Sequence, residues 1–319
     1  MRALVAGGAG FVGSHLCDRL LLEGWEVTCV DSLISGSRQN VEHLLGRSDF
    51  AFVQHDVTKP LDLPVDAVFH LASPASPNPL SPKSYLLHPV ETALVNSQGT
   101  YELIELTRGC GARFLFASTS EIYGDPREHP QKESYWGNVN PTGVRACYDE
   151  SKRFGEALTT TYVRRFGLDA RIVRIFNTYG PRCDPIDGRL VPAFITQALG
   201  GKPITVFGDG SQTRSLCYVS DLIDGIWLAM IHPQSPGEVF NLGNPEERTV
   251  LEYAGMIRDL CGSRSEIVFR PLPPDDPTRR RPDISKARSI LGWEPRVGLE
   301  EGLTRSIQWY QEHQHAVRS

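Results

Sequence analysis

Seven residues near the start of the chain restrict the possible folds more than any other feature. Gly7-Gly8-Ala9-Gly10-Phe11-Val12-Gly13 follows the apolar run Ala3 to Ala6 and opens an amphipathic stretch, Phe11 to Glu23. Three glycines spaced G-x-x-G-x-x-G therefore sit where a strand turns into a helix. Such a turn needs positive φ, and bare backbone there can approach a pyrophosphate while the helix amides face it. A tight turn alone would also use these glycines, so the surrounding pattern decides. Further apolar runs at Glu26 to Val30, Phe50 to Val53, Ala67 to Leu71 and Arg113 to Ala117 alternate with a helical stretch at Val90 to Thr107. A helix over Tyr148 to Phe166 then leads into a strand over Ala170 to Phe176. This rhythm predicts an α/β fold, a doubly wound parallel (Rossmann) sheet with helices on both faces. Asp31 ends the second strand, 18 residues after Gly13. A carboxylate there accepts hydrogen bonds from an adenosine ribose and repels a 2'-phosphate, which favours NAD over NADP even with Arg38 nearby. Asp56-Val57 and Leu71-Ala72-Ser73 end the third and fourth strands, on the edge where open α/β sheets bind ligands.

At 319 residues the chain is long enough for one large domain or two joined ones. After Asn177 the texture becomes Gly- and Pro-punctuated: a loop at Arg182 to Gly188, a helix at Leu190 to Leu199 and a short strand at Ile204 to Phe207. A helix at Asp221 to Met230 and a strand at Val239 to Leu242 follow, the strand being a candidate to rejoin the main sheet. Beyond them come a helix near Val250 to Leu260, a strand at Ile267 to Phe269, a Pro-rich basic loop at Pro271 to Pro282 and a last helix at Leu299 to His313. We therefore expect interleaved lobes. A Rossmann domain takes 1–178 plus about 212–244, and a smaller α/β substrate-binding lobe takes about 179–211 plus 245–319.

Hydrophobic residues at 40% and charged residues at 22% exclude disorder and coiled coil. A net charge of -5 lacks the positive excess that phosphate backbones require, which argues against nucleic acid. The seven cysteines are scattered without a C-x-x-C pair, so a reducing compartment and no thiolate metal site are expected. No apolar run approaches the roughly 18 residues of a membrane span, and strand-like sequence from Ala3 leaves no room for a leader, so the expectation is a cytoplasmic protein.

Tyr148-Asp149-Glu150-Ser151-Lys152 places a phenol and an ammonium at i and i+4 on one helix face. The lysine charge is expected to lower the tyrosine pKa, letting it take a proton from a sugar hydroxyl while hydride leaves for NAD. A helix surface pair is the plainer reading of such a spacing, but here it follows a nucleotide fold. Ser118-Thr119-Ser120-Glu121 ends the fifth strand, where a hydroxyl can orient substrate and a carboxylate can move protons. Arg279 and Arg281 read as a solvated basic loop, and His313 and His315 as a solvated tail rather than a metal site.

Gly7-x-x-Gly10-x-x-Gly13, the Thr119 region and Tyr148-x-x-x-Lys152 resemble the extended short-chain dehydrogenase/reductase family. Longer runs are similar to its UDP-glucuronate decarboxylase (UDP-xylose synthase) branch, among them Leu71-Ala72-Ser73-Pro74-Ala75-Ser76-Pro77, Ala117 to Pro126, Arg145-Ala146-Cys147-Tyr148-Asp149-Glu150, Gly210-Ser211-Gln212-Thr213-Arg214 and Leu291-Gly292-Trp293-Glu294-Pro295. The similarity runs from Arg2 to about Tyr310. It implies that Tyr148 and Lys152, with Thr119 steadying the hydroxyl, oxidise the sugar at carbon 4, NAD taking the hydride. Ser120, Glu121 and Arg280 are implied in loss of carbon dioxide from the resulting β-keto acid and in proton handling at carbon 5, before the ketone is reduced again. The implied cofactor set is Gly7, Gly10, Phe11, Val12, Gly13, Asp31, Ser32, Ser35, Gly36, Asp56, Val57, Leu71, Ala72, Ser73, Asn96 and Ser118, with Tyr148 and Lys152. The implied UDP-sugar set is Tyr85, Arg145, Asn177, Arg189, Val191, Phe207, Gln212, Arg214, Tyr218 and Arg280, Arg forks suiting a diphosphate. The family also implies a homodimer built by pairing the helices near 90 to 107 and 148 to 166, and no metal.

Two features bear on the choice of substrate. Related dehydratases carry Thr-Asp-Glu at the strand end and simple epimerases generally lack the glutamate, whereas Ser120-Glu121 stands here. The family helix commonly carries Lys-Thr-x-Lys-Thr-x, while this chain reads Glu91-Thr92-Ala93-Leu94-Val95-Asn96. Leu94 cannot bind a carboxylate, leaving Lys83, Tyr85 or Arg145 for that role. A nucleotide-sugar 4,6-dehydratase or 4-epimerase stays open as an alternative, and so does an NAD-sensing binding protein, although such proteins typically lose the tyrosine or the lysine.

Overall fold

A computed structural model describes residues 1–79, 81–272 and 279–313. Leu80, His315 and the middle of the basic Pro-rich loop lie outside the described residues. The chain opens with β1 (Arg2–Ala6), α1 (Phe11–Leu22), β2 (Glu26–Asp31), β3 (Phe50–Gln54), β4 (Ala67–His70), α2 (Pro89–Cys110), β5 (Arg113–Thr119), α3 (Ala146–Phe166) and β6 (Ala170–Ile175). It continues with β7 (Thr178–Tyr179), α4 (Leu190–Leu199), β8 (Ile204–Phe207), β9 (Thr213–Ser215), β10 (Cys217–Tyr218), α5 (Val219–Ile231), β11 (Val239–Leu242), β12 (Glu247–Thr249), α6 (Val250–Leu260), β13 (Ile267–Arg270) and α7 (Leu299–Glu312).

Seven strands form one parallel sheet in the order β11-β6-β5-β4-β1-β2-β3. The chain begins in the middle of this sheet and leaves β1 towards β2 on one side and β4 on the other. That reversal opens a crevice at the carboxyl ends of β1 and β4. Strand alternation builds a core on each face: Ala3 and Val5 join the side that carries α1 and α5, while Leu4 and Ala6 join the side that carries α2 and α3. β11 does rejoin the main sheet, pairing in parallel with β6.

Outside that sheet, β8 pairs with β13, β9 with β12 and β7 with β10, with α4, α6 and α7 packed around them. The pairs at β7–β10 and β9–β12 involve two or three residues a side, too short for any periodicity to reveal. α6 begins at a capping box in which the Thr249 hydroxyl accepts from the Glu252 amide and the Glu252 carboxylate accepts from the Thr249 amide.

The helix that carries Tyr148 and Lys152 is seated by a glycine. A Cβ on Gly155 would run into the ring of Phe116 on β5, so α3 lies closer to the sheet than a side chain allows. Overpacking there should be costly. Gly155→Val is expected to destabilise the fold by about 1–3 kcal/mol, read as a lower denaturant midpoint in equilibrium unfolding; an unchanged midpoint would refute the close approach.

Candidate active site

At the end of β1, Gly7 adopts φ 79° and its amide donates to the Val30 carbonyl (2.8 Å). A Cβ on Gly7 would stand 2.7 Å from the Ala72 backbone, and one on Gly13 would overlap the Gly7 carbonyl oxygen. The turn is thus as tight as its sequence implied, with bare backbone lining a crevice of about 1050 Å³ beside Phe11, Val12, Ser35, Leu71 and Ser73. Asp31 closes β2 and accepts from the Ala9 amide (3.0 Å) and the Leu33 amide (2.8 Å). Burial raises its pKa while those amides pull it down. Gly36 lies against the Asp31 carboxylate, where a Cβ would approach Oδ1 to 2.7 Å. Ser32 accepts from the Ile34 amide (3.5 Å), Asp56 from the Thr58 amide (3.0 Å), and Val57 is buried against Gly99 of α2.

Asn96, fully buried on α2, donates to Ser73 Oγ and to Ser151 Oγ, each at 3.0 Å, and its own Oδ1 has no partner. It ties the rim of the crevice to the catalytic helix. Ser118 behaves differently from the expectation. Its hydroxyl donates to Glu156 (2.5 Å), which also takes both arms of Arg174 (2.7 and 2.9 Å), so the Ser118 side chain belongs to an ion-pair network rather than to the crevice.

Tyr148 and Lys152 share one face of α3 as their spacing required, with Lys152 Nζ 6.0 Å from the centre of the Tyr148 ring. The electrostatics are not those anticipated. Burial pushes Tyr148 up to about 12, and the influences that lower it come from the Thr119 hydroxyl and Arg189. Lys152 is itself lowered to about 7 by burial, its Nζ donating to the Ala117 carbonyl (2.7 Å). Within this shell Lys152 is fastened to the strand that carries Thr119. The Tyr148 ring also stacks on Tyr85, with centroids 5.0 Å apart and planes at 6°. Tyr85 is buried, and its hydroxyl has no partner.

Thr119 accepts from the Glu121 amide (3.2 Å), capping the single helical turn Ser120–Tyr123 in which Ser120 is buried. Glu121 is gripped on both oxygens: Arg280 donates to each, at 3.0 Å to Oε2, and Arg145 donates to Oε2 as well. Burial would lift this carboxyl, yet the two guanidiniums hold it at about 2. Glu121 is therefore ionised, and its partners come from 24 and 159 residues away in sequence. Asp149, also buried, is pushed by burial and by Glu121 to about 7 against the pull of Arg145 and Arg280, and its Oδ1 has no partner. It stands inside the Tyr148 to Lys152 motif, and sequence reasoning passed over it.

The remaining residues divide by place. Arg189 caps α4 from the crevice side and is paired with Asp187 (2.9 Å from Nη2). Lys83 pairs with Asp184 across the same crevice. Gln212 donates to the Phe207 carbonyl (2.6 Å), and Phe207 is exposed at the end of β8. Arg214 on β9 donates to the Thr213 carbonyl (2.8 Å), while the next residue, Ser215, donates to the Arg280 carbonyl (3.2 Å) and joins β9 to the arginine of the Glu121 cluster. The Asn177 carbonyl accepts from the Cys217 amide (2.9 Å), and Val191 is buried in α4. Tyr218 is not brought to Tyr148. Its ring packs among Tyr179, Gly302 and Arg305. Leu94 is exposed on α2. Among the described residues no group of His, Cys, Asp and Glu is placed to hold a metal ion.

A glycine cradle at a sheet reversal, followed by a buried tyrosine and lysine beside a strand-end threonine, describes a Rossmann protein that oxidises a hydroxyl group with a bound dinucleotide. Residues 3–243 match the NAD dependent epimerase/dehydratase family, and the chain belongs to that family, whose cofactor is NAD. UDP-glucuronic acid decarboxylase 1 of Danio rerio is 52% identical over 316 residues, covering 98% of this chain and 74% of that protein. UDP-glucuronic acid decarboxylase 6 of Arabidopsis thaliana is 51% identical over 304 residues, 95% of this chain and 87% of its own. Among solved structures, UDP-glucuronic acid 4-epimerase from Bacillus cereus, in complex with UDP-glucuronic acid and NAD, superposes with a TM-score of 0.86 at 30% identity, over 98% of this chain and all of that one. The dTDP-glucose 4,6-dehydratase of Bacillus anthracis str. Ames, in complex with NAD, gives 0.85 at 25% identity over 99% and 98% of the two chains.

The cradle fits a pyrophosphate because no side chain fills it, and the partnerless Oδ1 of Asn96 leaves an acceptor beside its rim. Gly13→Ala is expected to weaken NAD at least about tenfold in calorimetric titration, with far-ultraviolet circular dichroism unchanged. Undiminished affinity would exclude this turn as the pyrophosphate site.

Proposed function

We propose that the chain converts UDP-glucuronate to UDP-xylose with NAD as a resident cofactor. The observation that carries this reading is the ionised Glu121 held between Arg145 and Arg280 one turn from Thr119 and Tyr148. A dehydratase needs an acid at that strand end, and Ser120 is a poor one. The relatives that are about half identical are named for the decarboxylation.

In this reading Thr119 orients the carbon-4 hydroxyl and Tyr148 takes its proton as the phenolate, a minor form in the ligand-free site that the positive charge of a bound nicotinamide would favour, with Lys152 fastened to β5 beside it. NAD supplies the acceptor for the carbon-4 hydride and later its return. Oxidation leaves the carboxylate β to a ketone, so the bond to the carboxyl carbon breaks with its electron pair passing to carbon 5 and the carbon-4 oxygen. Tyr148 then protonates or solvates that oxygen, a use of positioned donors at developing negative charge. Two buried donors without partners, the Tyr85 hydroxyl and Arg280 Nε, lie around Glu121 and suit the oxygens of an entering carboxylate. Arg145 joins them. Lys83, engaged by Asp184, serves the mouth of the crevice instead. Arg189, Gln212 and Arg214 supply the UDP half, with Asn177, Val191, Phe207 and Tyr218 shaping the lobe.

The same proposal includes the lobe boundaries expected above, a cytoplasmic location and a homodimer. No described helix is long and apolar enough to cross a membrane. The dimer is supported by exposed apolar side chains on the pairing helices: Val90, Leu94 and Tyr101 on α2, and Phe154 on α3.

Incubation with UDP-glucuronate and NAD, followed by proton NMR and carbon dioxide capture, is expected to yield UDP-xylose without net consumption of NAD. Tyr148→Phe should lower kcat by about 10²–10⁴-fold while leaving UDP binding intact. Release of the carbon-4 epimer, or an inert UDP-glucuronate with turnover of UDP-glucose to its 4-keto-6-deoxy product, would replace this reading with the corresponding alternative.

A further inference from the structure

Charge inside the Glu121 cluster balances in a way that matters when a ligand enters. Arg145 and Arg280 face Glu121 directly, and the buried Asp149 stands in the field of all three. From outside α3 the groups facing Asp149 are Glu121, Arg280 and Tyr85. From its own helix they are Arg145, Cys147, Tyr148 and Glu150. With both carboxyls ionised, two negative charges meet two guanidiniums and the cluster is neutral. A sugar carboxylate added here makes it net negative in a largely buried site, where Arg145 and Glu121 keep only 15% and 17% of their side-chain surface exposed, and a reduced dielectric penalises that charge. One carboxyl must then take a proton. Glu121 is the wrong one, since its oxygens are filled by guanidinium donors. Asp149 is only 6% exposed, makes no direct bond to either arginine and keeps Oδ1 free.

We propose that Asp149 is the proton store of the site: it takes up a proton as the anionic sugar enters beside Arg145 and Arg280, and that proton is the one decarboxylation consumes. The inference rests on UDP-glucuronate being the substrate. The balance is simple. The bond between carbon 5 and the carboxyl carbon breaks and carbon dioxide leaves, the electron pair stays on carbon 5, and a bond to hydrogen forms there. The O–H bond of Asp149 is the one lost, returning Asp149 to its carboxylate. The raised pKa of Asp149 in the ligand-free cluster places it where one further negative neighbour completes its protonation.

The test uses the full chain loaded with NADH, which binds the substrate without oxidising it. Calorimetric titration of UDP-glucuronate at about pH 8 in buffers of different ionisation enthalpy counts the protons taken up. Wild type is expected to take up on the order of one proton per site, Asp149→Glu to retain uptake, and Asp149→Asn to lose it while still binding the ligand. UDP-xylose, which lacks the carboxylate, should produce no uptake on any form. Equal uptake by Asp149→Asn, or binding by wild type with none, overturns the proposal. If NADH binds and UDP-glucuronate gives no heat with wild type in any buffer, the substrate assignment itself is wrong and the inference goes with it.

Discussion

Everything that distinguishes this site depends on one buried carboxylate meeting two guanidiniums. Glu121 sits two residues past the end of β5, Arg145 at the start of α3 and Arg280 in the loop after β13, so a single ion cluster joins the sheet, the helix of Tyr148 and Lys152 and that loop. Removing Glu121 would leave two largely buried guanidiniums without their carboxylate, a defect that costs about 3–5 kcal/mol in comparable buried pairs. The cluster thus fixes the distance between lobes and the electrostatics of the site with the same three side chains. That coupling explains why Arg280 is anchored twice over by its backbone: Ser215 donates to its carbonyl, and Gln131 clasps the residues after it, accepting from the Arg281 amide (2.9 Å) and the Asp283 amide (2.8 Å).

A second buried network stiffens the region beneath. Arg174 on β6 reaches Glu156 on α3 and the Tyr123 hydroxyl (2.9 Å), and Tyr123 in turn donates to Asn241 on β11 (2.8 Å). Four elements are cross-linked behind the strand end that carries Thr119 and Glu121. Ser118 has been drawn into this network, and the reason is its place in the strand: its neighbour Thr119 turns to Tyr148 while Ser118 faces Glu156. A strand end offers both sides of the chain to different tasks. Charged groups held this firmly lose the freedom to swing toward solvent, so the turn that carries Glu121 stands on a rigid base.

The sheet was legible because its signals are local. The glycine spacing, the strand rhythm and the tyrosine and lysine four apart each announce themselves within a window of a few residues, and the central strands and helices fall within a few residues of where those signals place them. The two-residue strands β7 and β10 carry no period, and they exist only because each finds its partner elsewhere in the chain. The same holds for the chemistry. Glu121, Arg145 and Arg280 were each expected at the site, but their convergence on one carboxylate joins residues 159 apart and has no sequence signature. Asp149 was missed although it lies between two residues that were chosen, because its importance comes from burial and unfilled hydrogen-bonding capacity, neither of which a motif encodes. The expected lowering of the Tyr148 pKa by Lys152 went wrong for a related reason: spacing on a helix reports proximity, whereas burial, which acts on both groups, sets the sign.

The leucine at position 94 takes on a different meaning once the cluster is drawn. The sequence resemblance implies a lysine at this point of the helix, near the uronate, so its absence read as a missing contact. Leu94 faces outward on α2, and the positive charge inside comes from Arg145 and Arg280, neither of which rides on α2. A lysine at position 94 would extend from this outward face and leave the charge of the interior cluster as Arg145, Arg280, Glu121 and Asp149 set it. In the reading proposed above, an entering carboxylate is met by the two guanidiniums and by the proton balance of the cluster, whichever residue stands at position 94.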